Sequence, residues 1–169
     1  MKREEILEFI RIVFKGDDEL LRVAEEFENA ENLDVNSELK EAIEENFEYG
    51  IGSVILGYGL NKEIFEYVDW KGEMDTEVTN CLTKYEMSEG LDIFSNSLLD
   101  EIDEYEYEED IVKKIEYANK KILDTGYGIF SYPTESDFFA LFVGKLSDKE
   151  KLLINIFGDS EDSEVEYII

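Results

Sequence analysis

The chain predicts an α+β fold, with several amphipathic helices packed around a small, mostly antiparallel sheet. Three observations carry this. Apolar residues recur at helical spacing through the first fifty residues and again near the middle. Two apolar, β-prone runs flank a Pro-containing polar turn at 133–136. No internal repeat or linker divides the 169 residues, which suit a single domain over 1–169.

Ile6, Leu7, Phe9, Ile10, Val13 and Phe14 mark the first helix, and Gly16 ends it. Asp17 or Asp18 can cap a second, bearing Leu20, Leu21, Val23, Ala24 and Phe27. Ser37 can cap a third. Glu38 and Glu41 then lie in or beside its first turn, where acids suit the positive end of the helix dipole. Lys40 stands where a capping box needs Glu or Gln, so the cap is a simple one. Leu39, Ala42, Ile43 and Phe47 form its stripe, and Gly50 closes it.

The β-branched residues and glycines of 51–59 predict a strand, or a close packing contact, rather than a stable helix. Ile64, Glu66, Val68 and Trp70 alternate against Phe65, Tyr67 and Asp69, which predicts a second strand broken at Gly72. Asp75 or Thr76 would cap a helix with Val78, Leu82 and Tyr85, stopped at Gly90. Residues 91–124 read as two helical pieces. The second carries Ile111, Val112, Ile115, Ala118, Ile122 and Leu123 on one face. The runs Gly128–Tyr132 and Asp137–Val143 read as paired antiparallel strands. Ser147 or Asp148 would start a short helix with Leu152, Leu153, Ile154 and Phe157, ended by Gly158, and 165–169 would add an edge strand.

Charge is the least ordinary property. There are 44 acidic residues against 16 basic ones, a formal net charge of -28. That far exceeds the ~2–8 that keeps a small domain soluble. Self-repulsion on this scale costs folding stability, so a basic protein partner is an attractive compensation. The composition argues against binding nucleic acid or anionic lipid, which takes clustered Lys and Arg. Solubility alone is the plainer reading of the acidity. Salt adaptation fits less well with so many Lys, Ile and Phe residues. Aromatic residues make up 13% of the chain, more than disorder allows.

A single cysteine, Cys81, leaves no intramolecular disulfide and fits a reducing compartment. The first residues run straight into an amphipathic pattern without a signal-peptide core. No run approaches the ~18 apolar residues of a membrane span. The expectation is a cytoplasmic protein that meets neither membrane nor nucleic acid. The sequence assigns no oligomeric state.

Few residues offer chemistry. There is no histidine, which removes the commonest general base and the commonest zinc ligand. Cys81 has no partner to activate it and reads as a small core residue. The glycines between Gly50 and Gly59 lack the spacing of a phosphate-binding loop. Asp69-Trp70-Lys71, at the end of a predicted strand, matches the acid-x-Lys part of a metal-dependent nuclease core. Such a core needs a second acid from the preceding strand. Residues 50–59 offer none, so Glu48 or Glu63 would have to serve. The alternative is that Trp70 packs in the core while Asp69 and Lys71 sit at the strand end. The run Asp159, Glu161, Asp162, Glu164 lacks the Gly and Glu positions of a calcium loop and reads as solvated.

The candidate binding element is Glu104, Tyr105, Glu106, Tyr107, Glu108, Glu109 and Asp110. Tyrosine gives contact area at low entropic cost, and carboxylates fork onto arginine. The plainer reading is a solvated face whose tyrosines lean on the core.

Val68-Asp69-Trp70-Lys71, Gly126-Tyr127-Gly128-Ile129-Phe130 and Asp137–Val143 together resemble small acidic bacterial proteins of uncharacterised families, some similar to the immunity proteins of polymorphic toxin systems. The resemblance covers the last two-thirds of the chain. It implies a toxin-neutralising role and carries over no functional residue. The leading expectation is therefore a non-enzymatic, cofactor-free antagonist, of the immunity or nucleic-acid-mimic kind, that covers a basic surface of a partner. The alternatives are a divalent-metal hydrolase centred on Asp69 and Lys71, and a structural domain without a specific target.

Overall fold

In the computed structural model, which describes residues 3–69, 76–106, 110–134, 136–157 and 163–169, four helices come first. Helix α1 (Arg3–Val13) buries Ile6, Leu7, Phe9 and Ile10. Helix α2 (Asp18–Glu25) is capped by Asp17, whose carboxylate accepts the Glu19 and Leu20 N–H groups. Helix α3 (Ser37–Asn46) is capped by Asn36 and not by Ser37. Asn36 has extended backbone, so its side chain can turn back to the Leu39 N–H at 2.9 Å. Gly50, with φ 96°, ends the short turn that follows.

Residues Ile51–Asn61 form helix α4, which corrects the strand expected at 51–59. Packing overrides propensity here. A Cβ on Gly52 would lie 2.5 Å from Ile156 Cγ2, and one on Gly59 would lie 2.4 Å from Phe65 Cδ2. The glycines let neighbouring side chains press onto a helix buried by Val54, Ile55 and Tyr58.

The sheet has four strands: β1 (Glu66–Asp69), β2 (Tyr127–Tyr132), β3 (Phe138–Lys145) and β4 (Glu166–Tyr167). Their order is β1-β3-β2-β4, and every neighbouring pair is antiparallel. The hairpin stands as the sequence predicts; the strand expected over 64–70 begins only at Glu66, and the edge strand expected over 165–169 is the short Glu166–Tyr167. Helices α5 (Glu77–Glu89), α6 (Asn96–Asp103) and α7 (Ile111–Ile122) also stand. Gly90 and Gly126 lie in the left-handed region just past helical turns. Thr76 occupies the cap position of α5 without a side-chain bond.

The sheet is covered on both faces. Phe130, Tyr132, Ala140 and Phe142 pack with α1 to α4, while Ile129, Leu141, Val143 and Val68 pack with α5 to α7. Double coverage explains why 138–143 reads as an unbroken apolar run.

The helix expected over 147–157 shrinks to α8 (Lys149–Leu152). From its last residue onward Leu152, Ile154 and Ile156 are buried while Leu153 is exposed, a two-residue period that belongs to extended chain. The Ile156 N–H donates to Ser163 C=O at 2.8 Å, and Val165 N–H to Ile154 C=O at 2.9 Å. Among the described residues no helix is long and apolar enough to cross a membrane.

Candidate functional site

The acidic–aromatic element lies between α6 and α7. Glu104 and Glu106 are exposed, and Tyr105 is half-buried. Tyr105 stacks on Tyr117 of α7 with ring centroids 4.0 Å apart and planes 6° from parallel. Tyr117 O–H donates to Glu101 Oε1 at 3.0 Å, and the Lys121 ammonium pairs with the same carboxylate. The hydrogen bond from Lys121 holds the Glu101 carboxyl below its usual range. Asp110 stands 3.8 Å from Lys113 Nζ. Beneath, the buried Lys114 donates to Asp103 C=O at 3.2 Å. Tyr105 is thus engaged in holding α7, while the carboxylates beside it remain open. Tyr107, Glu108 and Glu109 lie outside the described residues.

Asp69 ends β1 opposite Phe138. Lys71 and Trp70 lie outside the described residues, as do Asp159 to Asp162. The segment before β1 is the helix α4, so the acid-x-Lys pattern has no preceding strand to supply its second carboxylate. Among the described residues no group of three or more acids or cysteines is placed to hold a metal ion.

The geometry reveals a cleft that sequence reasoning missed. It measures about 390 Å³, within the roughly 300–1,000 Å³ of ligand sites. One wall is the end of α1, from Ile12 to Lys15. The other is α5, with Cys81, Lys84, Tyr85, Ser88 and Glu89. Lys62 to Ile64, Glu66, the last four residues of β3 and Asp148 complete it.

Its charges are largely matched. Lys15 Nζ reaches Glu89 Oε1 at 2.5 Å, and so ties one wall to the other. Lys84 pairs with Glu66 at 2.6 Å and stands 3.9 Å from Glu63. Lys62 pairs with Glu38 at 2.6 Å. The hydrogen bonds from these lysines to Glu66 and Glu38 raise both ammonium pKa values above the usual lysine range. Burial pushes the Cys81 thiol and the Tyr85 hydroxyl up. Cys81 is therefore a neutral, packed thiol rather than a nucleophile. Lys145 and Asp148 make no ion pair among the described residues.

Two backbone outliers frame this cleft. Lys15 (φ 55°) and Glu63 (φ 54°) are the non-glycine residues with left-handed backbone among those described, and both line it. Each stands just past a helix, where glycine is the usual choice. Residues held in this region cluster at functional sites. No sequence signal joins 15, 63, 84 and 145, because only the tertiary fold brings them together.

A profile of the family described as a domain of unknown function (DUF6630) matches residues 5–154. No curated protein and no solved structure matches the chain.

Proposed function

We propose, for a chain that belongs to the DUF6630 family of domains of unknown function, that it is a protein-binding antagonist, of the immunity or nucleic-acid-mimic kind, acting by covering a basic surface of another protein. One observation supports this best. Over residues 18–49, ten exposed carboxylates from Asp18 to Glu48 stand against two basic residues. Both bases are already engaged: Arg22 donates to Asp34 C=O, and Lys40 faces Glu44 at 3.9 Å. The open carboxylates Glu104 and Glu106, beside the helices on the other face of the sheet, add to the overall negative charge.

Such a surface attracts a basic partner over distances of about the Debye length, ~8–10 Å at physiological salt. It raises the association rate more than the final affinity. Nuclease and nucleic-acid-binding sites are basic because they hold phosphates, so a carboxylate-rich cover can compete there.

Capture from a lysate at low ionic strength, eluted with a salt gradient, provides the test. The reading expects one basic protein in stoichiometric yield, whose association rate with this chain falls steeply as salt rises. Reversing Glu104 and Glu106 to Lys should slow that association while leaving the unfolding midpoint nearly unchanged. A smear of weakly held basic proteins would make the acidity generic and end the proposal.

A further inference from the structure

The cleft runs along an unpaired strand edge. Successive side chains of a strand point to opposite faces, so one cleft lined by Phe142, Val143, Gly144 and Lys145 must lie against the backbone edge. Strand pairing fixes which groups point there. Val143 stands opposite Ile129 of β2. The Ile129 N–H and C=O both turn away from Val143, to the side-chain amide of Asn119, at 2.7 and 3.0 Å. Ile129 and Val143 are therefore a non-hydrogen-bonded pair, and Val143 directs its N–H and C=O away from β2. Lys145, two residues on, points the same way. On that side β1 would continue the ladder, but its pairing stops at Glu66 opposite Leu141. The chain before it turns off, because Ile64 N–H donates to Gly59 C=O at 2.9 Å. Among the described residues no backbone hydrogen bond to Ile64, Glu63 or Lys62 takes up Val143 or Lys145.

We propose that this edge receives an extended segment of the basic partner, which adds a short strand beside Val143 and Lys145 in line with β1. The proposal rests on the basic-partner reading above and names where that partner docks. Main-chain hydrogen bonds to an exposed edge supply affinity, and the flanking walls select side chains. Here alternate side chains of the guest face Val13 and Phe14 on one side and Tyr85 on the other. Charge selects the guest. Lys15, Lys62 and Lys84 are neutralised by Glu89, Glu38 and Glu66. Glu63, 74% exposed and 3.9 Å from Lys84, and Asp148 line the cleft together with Lys145. With a net charge of -28 behind it, the cleft repels an acidic segment and admits a basic one.

The test titrates isotope-labelled full-length chain with the peptide acetyl-Lys-Val-Arg-Val-Lys-Val-amide, followed by backbone amide resonances. Two further peptides carry N-methyl groups on one or the other alternate set of residues. The amides of Val143 and Lys145 should shift and gain protection from exchange. One N-methylated peptide should bind about tenfold more weakly than the other, since only one set of its N–H groups faces β3. Glu63→Lys should weaken the parent peptide by a similar factor. Binding seen only as shifts on α2 and α3, with both N-methylated peptides equal, would overturn the strand-pairing proposal and leave the basic-partner reading standing. An acidic peptide of the same pattern binding as well as the basic one would overturn the choice of guest. No binding by any of them would overturn the proposal outright.

Discussion

Asn119 of α7 grips Ile129 of β2 at both of its backbone polar groups. The side-chain Nδ2 donates to Ile129 C=O at 3.0 Å, and Oδ1 accepts the Ile129 N–H at 2.7 Å. The same Nδ2 reaches Ile168 C=O at 2.7 Å. The amide stands in for a strand where β4 has run out, since β4 pairs with Phe130 and Ser131 but not with Ile129.

Removing this clamp leaves buried donors and acceptors without partners. Each such group costs about 1–3 kcal/mol. Asn119→Ala should therefore lower stability by about 3 kcal/mol. Asn119→Asp should do no better, because a carboxylate keeps the acceptor and loses both donor bonds. Urea unfolding checks this, with the midpoint falling and the slope unchanged.

The glycines of α4 separate packing from propensity. Gly-to-Ala inside a helix is worth about 1 kcal/mol in favour of alanine. At Gly59 the new methyl would meet the Phe65 ring at 2.4 Å. That ring is buried between Phe14, Tyr132 and Phe142, so it has nowhere to go. Overpacking of this kind costs about 1–3 kcal/mol. Gly59→Ala should be destabilising by about 1 kcal/mol net. At Gly57 the nearest atom is the Asn46 amide nitrogen, at 2.8 Å, the far end of a flexible side chain that can move by giving up its hydrogen bond to Ala42 C=O. Gly57→Ala should be neutral or mildly stabilising. Thermal melts of the two variants should move in different directions; a shared direction would show that packing does not decide α4.

The same helix marks the limit of what the residues disclose. Apolar stripes bounded by glycines, with a cap residue for α2, gave α1, α2, α5 and α7 directly, and the hairpin followed from two β-prone runs around Pro133. In 51–61 the β-branched residues and three glycines favour a strand locally. The opposing fact, Phe65 and Ile156 lying on the glycines, is tertiary and has no local trace. Leu152 to Ile156 failed in the reverse sense. Short apolar runs do not reveal their period, and the alternation is visible only as burial. The acidic surface was legible because charge needs no fold. The cleft was not, because its walls come from residues about seventy apart and its floor is backbone.

Net charge should make salt a stabiliser. The ion pairs described are mostly exposed and worth ~0–1 kcal/mol each, so their screening costs little. The repulsion of 28 uncompensated negative charges is long-ranged and is screened strongly, as the Debye length falls from about 30 Å at 0.01 M to about 3 Å at 1 M. Between these limits stability should rise by about 1 kcal/mol or more, or roughly 2–4 °C in the melting midpoint. Sodium chloride and potassium chloride should act alike. A midpoint that falls with salt would mean the ion pairs outweigh the repulsion.

Lys15 and Glu63 should trade stability for the cleft. Each adopts a left-handed backbone that costs an L-residue about 1–2 kcal/mol, and glycine would relieve it. Glycine also gains unfolded-state entropy, which returns about 0.4–1 kcal/mol of that relief. At Glu63 the side chain gives up only a 3.9 Å approach to Lys84, worth little where it is 74% exposed. Glu63→Gly should therefore stabilise the fold by about 0.5 kcal/mol. At Lys15 the substitution also cuts the 2.5 Å link to Glu89 across the cleft, so the gain should vanish. If the two residues are kept for the cleft, Glu63→Gly will melt higher than the parent chain and bind the basic peptide less well. A variant that is more stable and binds equally well would reduce both outliers to ordinary helix ends.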